Sequence, residues 1–354
     1  MIEQIVANAV AVKASDIHIV CGIPVRFRVD GMLQNMDDHV LTEAECKALA
    51  EEVAGDQFFK INNQGEADLA ITVAGRRCRV NAFLQQGRYS IALRLLNDVI
   101  PSLDSLGLPA IVSKFPEYKN GLVLVTGETG SGKSTTLAAV LDSINHKEPR
   151  HILTLEDPIE YVYTPDKCVI NQREIGRDTQ SFANGLRAAL REDPDVILVG
   201  EMRDLETIEI ALTAAETGHL VFGTVHTNSA ADAIDRMVDV FPAERQRQIR
   251  LQLSMSLKAV VSQQLLRRRT GGRVAACEVM VVDYAIRNLI REGKTPQIVN
   301  AIQTSQANGC IPMNTAIMQL VSSGAITVEV AQEAMNEGDR PADVSTNTGF
   351  RNKI

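Results

Sequence analysis

Gly127-Glu128-Thr129-Gly130-Ser131-Gly132-Lys133-Ser134 fits the pattern G-x-x-x-x-G-K-[ST], and its setting fits too. The apolar run Leu122 to Val125 stands before it, and Leu137, Val140, Leu141 and Ile144 after it share one face of a helix. Glycines let the backbone curl so that successive N–H groups converge on phosphate oxygens, and the helix N-terminus adds a favourable dipole. A glycine-rich strand-to-helix turn is the plain alternative, yet the full pattern arises by chance in a chain this long only about once in a hundred. The stretch therefore predicts a nucleotide cradle formed by Thr129, Gly130, Ser131, Gly132, Lys133, Ser134 and Thr135. Lys133 is expected to bridge the β- and γ-phosphates of ATP, and Ser134 to ligate Mg²⁺.

Downstream of the loop, short apolar runs alternate with helical stretches: Ile152 to Leu155, Val196 to Val199 and Leu220 to Phe222. Runs apolar on both faces imply a mainly parallel sheet covered by helices on both sides, an α/β core. Functional groups in such sheets gather beyond the C-terminal ends of the strands. Each run leads at once into polar chemistry: Glu156-Asp157-Pro158-Ile159-Glu160, then Gly200-Glu201-Met202-Arg203-Asp204, then Val225-His226-Thr227. One carboxylate can hold the water shell of Mg²⁺ while another orients or deprotonates the attacking water. Glu160 is read as the general base and Glu201 as the metal-linked group, with an exchange of the two roles left open. His226 suits a sensor of the γ-phosphate, because an imidazole N–H donates to phosphate oxygen. Taken singly each of these residues suits a strand end or a helix cap; following the phosphate loop in order, they are better explained as one site.

Upstream, the residues before about Leu96 read differently. Ile2, Ile5, Val6, Ala9 and Val10 make one helical stripe; Val25 to Val29 and Met32 onward flank an Asp30-Gly31 turn. Thr42 with Glu45 opens a helix to about Phe59 with the pattern of a capping box. Extended runs follow at Asp68 to Val73, Arg77 to Gln85 and Ser90 to Leu95, so this part is a small α+β domain. Pro101, Gly107, Pro109 and Pro116 interrupt the pattern and mark a linker. The resulting division is 1–97, an N-terminal domain; 98–116, a linker; 117–283, the core; 284–338, a helical region; and 339–354, a polar tail expected to be mobile.

Composition limits the function classes. Lys and Arg number 36 against 44 Asp and Glu, a formal charge of −8, which speaks against binding nucleic acid through its phosphates. The six cysteines are scattered without a C-x-x-C pair, so neither a zinc site nor a disulfide framework is suggested. No apolar run approaches the roughly 18 to 20 residues that span a bilayer, and the N-terminus lacks the pattern of a signal peptide. A cytoplasmic location is expected.

Beyond these patterns, the chain resembles the superfamily of ATPases that serve type II secretion and type IV pili. The resemblance is carried by Ile152 to Tyr161, Ile197 to Asp204 and Thr217 to Thr227, and by Asn171-Gln172-Arg173-Glu174, Leu190-Arg191-Glu192-Asp193-Pro194-Asp195 and Ala214-Ala215-Glu216-Thr217-Gly218-His219. It covers roughly residues 1 to 335. It implies a RecA-like P-loop core preceded by a PAS-like domain, assembled as a homo-hexamer, with ATP and Mg²⁺ bound between the domains. Arginines of the first domain approach the phosphates in that family; Arg79 and Arg94 match, with Arg77 a weaker candidate. The helix Ala285-Ile286-Arg287-Asn288-Leu289-Ile290-Arg291-Glu292 resembles the signature of the retraction branch, which implies pilus withdrawal and twitching motility. The alternative within the superfamily is a pilus assembly or type II secretion ATPase. A motor of this kind is implied to reach the filament through an inner-membrane platform protein, peripheral at the membrane without spanning it.

Overall fold

Period-two alternation builds the first sheet. The computed structural model of the chain describes residues 1–29, 31–96 and 99–335. After α1 (Ile2–Ala11) come β1 (Asp16–Val20), β2 (Pro24–Val29) and β3 (Met32–Val40). Next are α2 (Glu43–Ala54), α3 (Phe58–Gln64), β4 (Glu66–Val73), β5 (Arg76–Gln85) and β6 (Arg88–Leu95). Among the described residues these strands form an antiparallel sheet of order β3-β2-β1-β6-β5-β4. Ile17 and Ile19 of β1 turn into a core shared with Leu49 and Ala50 of α2 and with Ile2, Ile5 and Val6 of α1, leaving Asp16 and His18 on the opposite face.

Local chemistry sets the ends of these elements. The Thr42 hydroxyl accepts from the Glu45 N–H while the Glu45 carboxylate accepts from the Thr42 N–H, closing the expected capping box. The expected single helix to Phe59 is instead two, because Gly55 adopts φ +50° after α2, a conformation that ends a helix. Ala74 and Gly75 both have positive φ, 51° and 72°, the geometry of a tight hairpin turn between β4 and β5.

The second sheet carries the continuous apolar runs. Its elements are β7 (Gly121–Thr126), α4 (Lys133–Lys147), β8 (His151–Glu156), β9 (Val169–Glu174), α5 (Phe182–Ala189), β10 (Val196–Val199) and α6 (Leu205–Glu216). They continue with β11 (Leu220–Val225), α7 (Ala230–Asp239), α8 (Ala243–Ser256), β12 (Leu257–Arg267) and β13 (Arg273–Val281). The strand order is β13-β12-β7-β11-β10-β8-β9. β12, β7, β11, β10 and β8 run parallel to one another, and every residue of β7, β10 and β11 is buried. The mainly parallel α/β expectation holds, with one addition: β12 and β13 form an antiparallel hairpin at one edge. The polar residues Ser262, Gln263, Gln264 and Glu278 break its apolar pattern and hide the hairpin from a reading by periodicity.

Beyond Val281 the chain is helical, as expected: α9 (Tyr284–Glu292), α10 (Ile298–Thr304), α11 (Met313–Ser322) and α12 (Val328–Ala334). Ile317, Ile326 and Ala331 pack with Leu266, Val274 and Ala276 of the edge hairpin. The tail expected from residue 339 lies outside the described residues, as do Asp30 of the Asp30-Gly31 turn and Asn97 and Asp98 at the start of the linker.

Contacts divide the chain into two units. One comprises Met1–Ile100 together with Glu156–Thr164 and Gln172–Asp178; the other begins at Pro101 and holds the rest. The loop that bears Glu160 therefore belongs with the first unit.

Candidate functional site: a phosphate loop and the strand ends beside it

β7 delivers the chain into the phosphate loop, and α4 begins at Lys133. Gly127, Gly130 and Gly132 have φ of 142°, 83° and 93°, backbone states that side-chain-bearing residues rarely adopt. The Lys133 ammonium, buried, donates to the carbonyls of Gly127 and Glu128 at 2.7 and 2.9 Å. Its charge thus sits inside the curl of the loop. The Ser131 hydroxyl is also buried there and has no hydrogen-bond partner. An unpartnered buried hydroxyl beside a captive ammonium, under the N-terminus of a helix of 15 residues, suits a group rich in oxygen and negative charge. Ser134 faces outward and is exposed, while Thr129 and Gly130 are exposed on the rim.

Two neighbouring strand ends bring the expected partners together. β11 lies between β7 and β10, so residues just past β10 and β11 emerge beside the loop. Glu201 follows β10, and its Oε1 lies 3.0 Å from Nε2 of His226, just past β11; the ring N–H donates to the carboxylate. Partial burial first, then the Lys133 ammonium, hold the His226 imidazole below its ordinary value; Glu201 acts in the opposite sense and Arg203 reinforces the lowering. Lys133, Glu201 and His226 therefore form one electrostatic cluster. Arg203, not singled out from the sequence, also binds Oε1 of Glu201. Asp204 caps α6, accepting from the Thr207 N–H at 2.8 Å and its hydroxyl at 2.7 Å.

The strand ends are tied by small residues and backbone bonds. A Cβ on Gly223 would stand 2.3 Å from the Met202 methyl carbon, so glycine there lets the Glu201 segment lie close to β11. The Met202 N–H donates to the Thr224 carbonyl at 3.0 Å, and the Thr224 hydroxyl donates to the Gly200 carbonyl. A further support escaped the sequence reading: the hydroxyls of Thr126 and Ser262 are bonded at 2.9 Å, and Thr136 donates to Gln263 at 2.8 Å, both pairs buried. The signal was present as the polar residues Ser262, Gln263 and Gln264 inside the apolar run of β12.

The first unit holds the other candidates. Arg79 and Arg94 are register partners on adjacent strands and both are exposed; Arg94 also pairs with Asp16 at 2.9 Å. Arg77 behaves differently. It is largely buried, pairs with Glu174 at 2.6 Å and donates to the Ile159 carbonyl at 3.4 Å. Glu174 in turn accepts from the Ile159 N–H at 3.3 Å. Arg77 and Glu174 thus grip the residue next to Glu160 from both backbone sides. Glu160 itself is partly exposed.

The sequence profile of the type II/IV secretion system protein family matches residues 1–338. The chain belongs to this family. It is 48% identical over 334 residues to the type IV pilus retraction ATPase PilT of Pseudomonas aeruginosa, covering 94% of this chain and 97% of that one. A twitching motility protein of Neisseria gonorrhoeae is 49% identical over 308 residues, 86% of this chain and 82% of its own. Among solved structures, the pilus retraction motor PilT with bound ADP superposes with a TM-score of 0.89 at 48% identity, covering 95% of this chain and 97% of that one. Among the described residues no helix is long and apolar enough to cross a membrane.

Proposed function

We propose that this chain is an ATP-hydrolysing motor that drives type IV pilus retraction as a homo-hexamer. The observation that carries the reading is the Glu201–His226 pair at the strand ends beside a glycine loop that holds Lys133 and whose buried Ser131 hydroxyl lacks a partner, in a chain 48% identical to a pilus retraction ATPase. The cradle accepts the polyphosphate of ATP. Its N–H groups and Lys133 neutralise the β- and γ-oxygens, and Ser134, exposed at the start of α4, would with Glu201 hold Mg²⁺, directly or through water. Bound Mg²⁺ would offset the charge that develops on the phosphates.

Glu160 acts as the general base toward the attacking water, and the grip of Arg77 and Glu174 on Ile159 fixes the loop that presents it. Burial and the Lys133 ammonium hold the proton affinity of the His226 imidazole below its ordinary value, which favours the neutral ring. In that state it donates to Glu201 and reports the γ-phosphate to β11. Arg79 and Arg94 approach the nucleotide as the ring closes, and an arginine in that role contributes roughly 10³ to 10⁵ in rate. The domain scheme that serves this cycle is 1–97, 98–116, 117–283 and 284–338. Force passes to the filament through an inner-membrane platform protein, with the motor at the cytoplasmic face.

Deletion of the gene tests the direction of the motor. A retraction motor predicts cells that carry surplus pili and do not twitch; bare cells would instead assign the chain to pilus assembly.

A further inference from the structure

We infer that Gln263, on the edge hairpin, is a positioning residue that fixes the phosphate loop at both ends, acting through Thr136 and through its own backbone. The inference rests on the nucleotide-site reading above and goes beyond it, since no motif marks this strand.

The two residues Ser262 and Gln263 meet the loop at four points. β12 pairs with β7 in parallel, and the pairing ends with Ser262 opposite Thr126, the residue before the first glycine of the loop. There the two hydroxyls bond at 2.9 Å in a fully buried setting. One residue on, the Gln263 carbonyl oxygen would stand 2.3 Å from a Cβ on Gly127. Its side-chain Nε2 would stand 2.7 Å from a Cβ on Gly132, at the other end of the loop. Its Oε1 accepts from the Thr136 hydroxyl at 2.8 Å, in the first turn of α4. Gln263 is only 3% exposed and Thr136 1%, so this bond is shielded from water.

A glycine loop that curls around an anion has many alternative backbone states, and holding it in the binding state costs conformational entropy on every binding event. A backbone carbonyl packed against its first glycine and a side-chain amide that lies against its last glycine and bonds the first helical turn narrow those states beforehand. The Gln263 backbone carbonyl lies against Gly127 while its side-chain amide reaches Gly132 and Thr136; Leu or Met of similar size cannot replace that amide because neither offers an acceptor to Thr136. The expected signature is a loss of nucleotide affinity with the chemical step preserved, because Gln263 touches none of Lys133, Glu201 or His226 in the contacts described above.

Gln263→Leu and the near-isosteric Thr136→Val test this, with Thr136→Ser retaining the hydroxyl. Dissociation constants for a non-hydrolysable ATP analogue and steady-state KM and kcat are measured for each, with Lys133→Ala as reference. Gln263→Leu and Thr136→Val are each expected to raise Kd and KM about 5- to 10-fold with kcat changed less than twofold. Thr136→Ser is expected to stay within twofold of the wild type. The double variant Gln263→Leu/Thr136→Val is expected to bind no worse than the weaker single variant, since both remove the same bond.

Wild-type KM in both single variants, a loss confined to kcat, or a fully additive double variant would each overturn the inference. If Gln263→Leu does not fold, the contrast between Thr136→Val and Thr136→Ser decides it alone: equal KM in the two overturns it. Lys133→Ala separates the two levels. If that variant binds the analogue like the wild type, the nucleotide site itself is misplaced; if it fails to bind while Gln263→Leu and Thr136→Val are normal, only the positioning inference falls.

Discussion

Single side chains carry separable parts of the proposed chemistry. Lys133 is buried with its charge turned into the loop, so Lys133→Ala removes the counter-charge and is expected to abolish nucleotide binding by equilibrium dialysis. Glu201 follows β10 and is bonded to His226 and Arg203. Glu201→Gln is therefore expected to keep binding within a few-fold and lower turnover by about 10² or more; binding lost with turnover would place Glu201 in the cradle. The arginines divide in the same way. Arg77 is 14% exposed and paired to Glu174, so its removal strands a buried carboxylate and costs about 3 kcal/mol or more of stability. Arg79 is exposed, and Arg79→Ala is expected to leave the unfolding midpoint unchanged while turnover falls. The phosphate loop, Glu201 and His226 were legible because a dipolar cradle and charged strand ends need particular residue types at fixed places. Arg203, Thr136 and Gln263 were not, because a polar side chain that serves a neighbour has no spacing rule of its own.

Elements show where charge is managed within the fold. Glu278 of β13 accepts from the Ala230 N–H at 2.7 Å, at the start of α7, and from the Met313 N–H at the start of α11. One carboxylate thus serves the N-termini of two helices. Burial raises its proton affinity above the ordinary value, while the two N–H groups act in the opposite sense. With the folded value raised, its stabilising contribution is full below the unfolded value of 4.5 and is lost as pH rises through the folded one. Denaturant unfolding across that window is expected to show Glu278→Gln abolishing this dependence with the helices intact. Glu278→Ala should cost about 1–3 kcal/mol by leaving two N–H groups unpaired. Near the other end of the chain the sign reverses: Glu45 is held down to about 2, chiefly by the Thr42 N–H, then its hydroxyl, then His39. The capping box therefore contributes above the ordinary carboxylate range and is lost only as pH falls toward about 2. α9 buries Ile286 and Ile290 and is capped by Asp283, which accepts from the Ile286 N–H at 2.9 Å. Arg287→Ala is expected to leave phosphate release intact while pilus withdrawal fails, and loss of both would assign the helix to folding. Helix α2 and the parallel strands were readable because capping and period act locally. The edge hairpin was not, since its apolar runs gain meaning only when β12 finds β7.

The whole molecule joins an antiparallel α+β unit to a mainly parallel sheet whose strand ends gather one charged cluster. Its net charge of −8 places it away from the basic surfaces that grip nucleic acid, and DNA is expected to leave its turnover unchanged. A hexamer is expected in light scattering with ATP and Mg²⁺ present, at six times the protomer mass. The proposed motor activity depends on one event, the cleavage of ATP in the cradle ahead of Lys133. Phosphate release by the purified chain with ATP and Mg²⁺, beside Lys133→Ala, measures that event directly. The account predicts steady release from the wild type and background release from the variant; equal release from both, or none from the wild type at any Mg²⁺ concentration, would contradict it.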